Sequence, residues 1–171
     1  HQNILAEPSR KNTAPCIAYI SFKLNLLNPN ALLIVAPADH LISDNIAFTK
    51  VCLEALSFVN KHNAFITLGI NPTYPNTGYG YIQYEQPPVS DNVYKVKTFT
   101  EKPNLELDKT FVSSGDFLWN AGIFVWQVKN IIKAFEQYLP EIYGLFASQK
   151  DRFNTADETA ALQEIYPFST S

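Results

Sequence analysis

Apolar residues recur along this chain in two rhythms, one helical and one extended. Ile17, Ile20, Leu24 and Leu27 stand at i, i+3, i+7 and i+10 and predict a helix. Asn12 or Thr13 is its expected N-cap, with Pro15 tolerated in the first turn. Asn28-Pro29-Asn30 stops it, and Leu32–Val35 follows as a continuous apolar run, the pattern of a strand buried on both faces. Ser43 or Asp44 caps a second helix running to Lys61, with Phe48, Val51, Ala55, Leu56 and Val59 as its stripe. Phe65–Ile70 is a second short strand. The order α-β-α-β points to a parallel sheet flanked by helices.

The rhythm then changes. Asn3–Leu5 is an extended lead-in and 71–80 a loop rich in Asn, Pro, Thr and Gly. Tyr79–Tyr84 and Val93–Phe99 read as strands, the second half-exposed because Tyr94, Val96 and Thr98 alternate with Lys95 and Lys97. Leu105–Val112 is a short helix, and Phe117–Trp126 a strand with a close-approach site at Gly122. Val128, Ile131, Ile132, Phe135 and Leu139 form a helical stripe broken by Pro140, with a short helix at Ile142–Ala147. Thr155 and Glu158 have the spacing of a capping box opening a helix to Ile165, which Pro167 closes.

Composition narrows the classes. With 171 residues, 46% of them hydrophobic, the chain has enough apolar material for one domain with a sizeable core. A net charge of −3 without a run of Lys or Arg argues against nucleic acid or an anionic membrane as partner. No stretch reaches the roughly 20 apolar residues of a membrane span, and no signal peptide opens the chain. Cys16 and Cys52 form no CxxC pattern and fall in expected helices, where they read as reduced, buried thiols. A cytoplasmic location follows as the expectation. The chain starts at His1 and contains no Met, which reads as a piece of something longer.

Five clusters could carry chemistry: Glu7-Pro8 with Asn12-Thr13-Ala14-Pro15, Pro37-Ala38-Asp39-His40, Asn76–Ile82, Glu101-Lys102-Pro103 and Trp119-Asn120-Ala121-Gly122. Asp39 follows a strand, on the edge where open α/β sheets bind ligands. A carboxylate there can hold a hard cation together with substrate phosphates, or simply start a turn. Taken singly, Gly78-Tyr79-Gly80 reads equally as a turn, Glu101-Lys102-Pro103 as a solvated strand end, and Trp119–Gly122 as a packing kink. His40 reads as structural, since magnesium prefers oxygen ligands, and His62 as solvated at a helix C-terminus. Tyr79, Tyr81 and Tyr84 read as packing residues, Tyr79 also as a wall of a sugar site.

In this order and spacing the clusters resemble the sugar-nucleotidyltransferase family, closest to its mannose-1-phosphate guanylyltransferase members, over nearly the whole chain. The resemblance implies an α/β, Rossmann-like nucleotidyltransferase fold: a mixed, mostly parallel sheet flanked by helices, truncated at both ends. The whole of 1–171 would be a partial domain, with a nucleotide-side half over about 1–70 and a sugar-side half over about 71–171. It implies transfer of GMP from GTP to mannose 1-phosphate, giving GDP-mannose and pyrophosphate with the help of Mg²⁺. Glu7 and Pro8 match the base-binding segment, and an acceptor-only carboxylate suits the two donors on one edge of guanine. Asn12, Thr13 and Ala14 match residues near the nucleotide, at a helix N-terminus where free N–H groups favour anions. Asp39 matches the metal-binding aspartate and touches the nucleotide through it.

On the sugar side, Tyr79 and Gly80 match the hexose site, where a glycine lets backbone and sugar approach. Glu101 matches the acceptor for hexose hydroxyls and Lys102 a cation near the sugar phosphate. Asn120 and Gly122 complete that side, so Asp39 and Lys102 are the expected catalytic pair. Two departures are local: Arg10-Lys11 stands where the family often has Gly-Arg, and Ala121 where it has Ser. The resemblance also places a glycine-rich phosphate loop before His1 and a second metal-binding Asp after Ser171. The chain therefore reads as a central fragment with little transferase activity alone. An unpaired sheet edge would favour a homo-oligomer. The alternatives are a related nucleotidyltransferase with another sugar or base, and a non-catalytic binding fragment.

Overall fold

The computed structural model describes residues 4–169. Asn3, the start of the expected lead-in, lies outside them. The helices and strands follow in the expected order: α1 (Thr13–Leu27), β1 (Leu32–Val35), α2 (Asn45–Lys61), β2 (Ile66–Ile70), β3 (Tyr81–Tyr84), β4 (Val96–Thr100), α3 (Leu105–Ser114), β5 (Phe117–Gln127), α4 (Val128–Tyr138), α5 (Pro140–Ser148) and α6 (Glu158–Ile165). The fold is α/β. The sheet has the order β1-β5-β3-β4, with β2 also paired to β5. None of the helices is long and apolar enough to cross a membrane, among the described residues.

The chain packs as two compact units, each assembled from separated segments. The first comprises 1–33, 44–65 and 125–171; the second comprises 34–43 and 66–124. These are divisions of packing, whereas the expected nucleotide-side and sugar-side halves are divisions of function.

The first unit is mainly helical. Ala18, Tyr19 and Phe22 of α1 meet Phe135 of α4, Ile142 and Phe146 of α5, Phe153, and Leu162 and Ile165 of α6. Phe22 stacks on Phe146 with centroids 5.9 Å apart. The buried face of α1 is thus not the Ile17-Ile20-Leu24-Leu27 stripe: Leu27 is 66% exposed. The helix is apolar nearly all round, so periodicity alone does not select its inner face; the neighbouring aromatics do. In α2 the inward residues are Cys52, Ala55 and Val59, and Val51 faces out. Its cap is as expected, with the Asp44 side chain accepting from the Ala47 N–H at 2.9 Å. His62 sits at its C-cap with the ring against Phe58. Cys52 is buried, but Cys16 is exposed as a residue, with its thiol beside Glu7.

The expected capping box does not form. Thr155 Oγ1 donates to the Arg152 carbonyl and accepts from the Asp157 N–H, and α6 starts three residues later, at Glu158. The Glu158 carboxylate is taken by stronger partners: the Tyr19 hydroxyl, the Lys23 ammonium and the Asn154 N–H. Burial pushes its carboxyl up, but those three bonds outweigh it and hold the group below the usual range.

In the second unit β3 pairs antiparallel with both β4 and β5. The strands start later than the apolar runs suggest, at Tyr81 and Val96. The intervening segment closes on itself through Val89 N–H to Val93 C=O and the Ser90–Val93 bridge. β4 is exposed on both faces rather than one, because it ends the strand order. β1 is likewise half-exposed instead of fully buried, with Ile34 at 39%, and it stands at the other end of the order. β5 runs unbroken through Gly122, whose φ of +67° is the conformation that favours glycine. The tighter approach in the sheet is at Gly69, where a Cβ would lie 2.5 Å from the Leu118 side chain.

Candidate functional site

Strand register builds the site in the second unit. Tyr81 lies opposite Thr100 on one side and Trp119 on the other. One residue back, antiparallel pairing places Gly80 between Glu101 and Asn120. The rung is closed by the Asn120 N–H donating to the Gly80 carbonyl at 2.8 Å. Side chains on one rung share a face, so Glu101 and Asn120 flank a notch whose floor is a glycine. A Cβ on Gly80 would lie 2.7 Å from Glu101 Oε2 and 3.7 Å from the Asn120 Cβ. The glycine therefore keeps open the space that the carboxylate borders.

The notch is polar and its groups are partly committed. Asn120 Oδ1 accepts from the Thr67 hydroxyl and from the Gly122 N–H, both at 3.1 Å. Its acceptor is thus used in holding the side chain, and its NH₂ is left to donate. Thr67 had no signal in the sequence, because a threonine in an apolar strand reads as a strand former. Lys102 Nζ lies 3.6 Å from Glu101 Oε1, with both side chains well exposed. Lys102 has φ +43°, an uncommon conformation for a long side chain. Tyr79, 43% exposed, packs on Trp119 with centroids 4.9 Å apart.

Asp39 stands in the turn after β1, exposed, and among the described residues its carboxylate has no hydrogen-bond partner. Pro37, two residues earlier, would lie 3.4 Å from a Cβ at Gly122. Among the described residues no group of three or more His, Cys, Asp or Glu side chains could hold a metal ion. One unengaged carboxylate does fit Mg²⁺ as the ion is usually held, by one or two carboxylates plus water and phosphate oxygens.

The residues expected on the base side lie in the first unit. Pro8, Asn12 and Thr13 are exposed, Ala14 is half-buried, and Asn12 is the N-cap of α1, whose first turn carries no acidic side chain. Pro15 lacks an N–H, so Thr13 and Ala14 supply free donors of that turn. Lys11 reaches the Pro167 carbonyl at 2.9 Å. Glu7 is not a free carboxylate: its Oε1 accepts from the Tyr166 hydroxyl. Burial, then this bond, push the Tyr166 hydroxyl far up, and burial and Glu7 raise the Cys16 thiol. The second Glu7 oxygen leaves acceptor capacity on an exposed residue.

Comparison with known proteins identifies the family. The family described as nucleotidyl transferase matches residues 1–160. A mannose-1-phosphate guanylyltransferase of Escherichia coli is 37% identical over 145 residues, covering 82% of this chain and 31% of the relative. The crystal structure of a Thermus thermophilus protein, described as mannose-1-phosphate geranyltransferase, superposes with a TM-score of 0.82 at 25% identity. It covers 97% of this chain and 46% of its own. A Helicobacter pylori structure described as mannose-6-phosphate isomerase gives a TM-score of 0.69 at 34% identity, covering 85% of this chain and 53% of that one. The chain thus spans about a third of the curated E. coli relative it matches.

Proposed function

The chain belongs to the nucleotidyl transferase family, and from that membership we propose that it forms part of a mannose-1-phosphate guanylyltransferase. The reaction transfers GMP from GTP to mannose 1-phosphate. A phosphate oxygen of the sugar phosphate attacks the α-phosphorus of GTP in line. The new P–O bond forms as the bond to the bridging oxygen breaks, and pyrophosphate leaves. No covalent protein intermediate is needed, so the protein contributes positioning and charge stabilisation.

The observation that carries the reading is the Gly80 notch, bordered by an acceptor at Glu101 and a donor at Asn120. That is the complement of vicinal hexose hydroxyls, which both donate and accept. Lys102, one residue beyond Glu101, supplies a cation for the sugar phosphate. Glu7 accepts from the guanine edge through its second oxygen, and the N-terminal donors of α1 face the nucleotide's anionic part. Asp39 would hold the magnesium ion, which when bound neutralises phosphate charge. A cytoplasmic setting, where GTP is available, suits these substrates.

Calorimetric titration of the chain with GDP-mannose in the presence of magnesium, against GDP-glucose and dTDP-glucose, tests the proposal. Preference for GDP-mannose is expected. A preference for dTDP-glucose would remove Glu7 from the base site and the chain from the guanylyl branch.

A further inference from the structure

Behind the notch, on the opposite face of the strands, lies a buried polar cluster. Tyr81 and Asp108 are fully buried, and Trp119 nearly so. The Trp119 Nε1–H donates to the Tyr81 hydroxyl at 2.9 Å, and the Tyr81 hydroxyl donates to Asp108 Oδ1. A hydroxyl has one proton, so the direction is fixed: indole to phenol to carboxylate. The second Asp108 oxygen has no hydrogen-bond partner among the described residues. A buried carboxylate left half-satisfied is costly, and packing alone would be served as well by a leucine at that position.

The elements joined at this hydroxyl are those that carry the notch. Tyr81 opens β3 directly after Gly80. Asp108 is on α3, which starts four residues after Glu101. Trp119 is the neighbour of Asn120 on β5. The loop that ends in Gly80 is folded around Asn76, whose Oδ1 accepts from the Gly78 N–H and whose carbonyl accepts from the Tyr79 N–H. Resting on the proposed sugar-phosphate reading, we infer that the Tyr81 hydroxyl, held between Asp108 and Trp119, is the positioning group of the hexose notch. It touches no substrate. It sets the relative places of Gly80, Glu101 and Asn120 from the far side of the sheet, so its loss loosens the sugar site and leaves the base site alone.

The test compares the wild-type chain with Tyr81→Phe and Asp108→Asn. It reads the two tryptophan indole N–H signals by NMR, and the affinities for mannose 1-phosphate and for GTP with magnesium by calorimetry. Tyr81→Phe is expected to move the Trp119 signal upfield, speed its exchange and weaken mannose 1-phosphate binding about tenfold, with GTP affinity within about twofold. Asp108→Asn keeps an acceptor oxygen but loses the charge that holds the Tyr81 hydroxyl. It is expected to weaken mannose 1-phosphate in the same direction as Tyr81→Phe while sparing GTP; equal losses for both ligands there also count against the inference. A Tyr81→Phe chain that loses the indole bond yet binds mannose 1-phosphate as tightly as wild type overturns the inference and leaves the functional reading standing. Equal losses for both ligands also overturn it, since they mark general destabilisation. Failure of the wild-type chain, with its Trp119 signal intact, to bind mannose 1-phosphate removes the reading of the notch as a sugar-phosphate site and the inference with it. If Tyr81→Phe does not fold, Trp119→Phe breaks the same relay while leaving the Tyr81–Asp108 bond whole. A selective loss of sugar-phosphate affinity there supports the inference, and unchanged affinity overturns it.

Discussion

At the residue scale, the decisive positions are those where one atom changes the chemistry. Gly80→Ala would drive a methyl group to 2.7 Å from Glu101 Oε2. The far end of an exposed side chain can swing away, so little stability is lost, but the carboxylate leaves the notch. We expect about a tenfold loss of mannose 1-phosphate affinity with a nearly unchanged melting temperature. Calorimetry and a thermal melt read the two effects separately. Asp39 has the opposite character: exposed and unengaged, it supports nothing in the fold. Asp39→Asn in the full-length protein should therefore cut turnover by a hundredfold or more, roughly, while leaving mannose 1-phosphate binding within about twofold. Steady-state kinetics with an unchanged kcat would take Asp39 out of the metal role.

At the element scale, helices of similar sequence pattern are anchored by particular neighbours. In α1, Phe22 is buried against α5 while Leu27 is two-thirds exposed. Phe22→Ala should cost about 3 to 5 kcal/mol and Leu27→Ala no more than about 0.5 kcal/mol, as read by urea denaturation. The reverse order would restore the Ile-Leu stripe as the inner face. Between α1 and α6, Glu158 binds Lys23 and Tyr19. Its folded-state pKa is lowered from the ordinary 4.5. The resulting stability is present above that value and fades as pH falls below it. Glu158→Gln should then cost about 2 kcal/mol at neutral pH, and the gap to wild type should narrow steadily below about pH 4.5. A gap independent of pH would mean that the charge contributes nothing.

At the scale of the whole molecule, the candidate base and sugar residues fall into different packing units. Glu7→Gln should weaken GTP about tenfold and spare mannose 1-phosphate, and Glu101→Gln should do the reverse. Parallel titrations in which both variants lose both ligands equally would count against separate subsites. The sequence by itself determined the order and type of nearly every element. Apolar period, caps and prolines act over neighbouring residues and need no tertiary partner to be read. It also singled out Gly80, Glu101 and Asn120, through the family resemblance that their short motifs carry in this order and spacing. Only the tertiary structure decided which face of α1 turns inward, that Glu158 serves Lys23 and Tyr19 instead of a capping box, and that Cys16 is exposed. It alone placed Thr67 on Asn120 and joined Tyr81, Asp108 and Trp119. Those contacts link residues 27 to 139 positions apart, and no local pattern encodes which of several compatible partners a side chain meets when the elements pack.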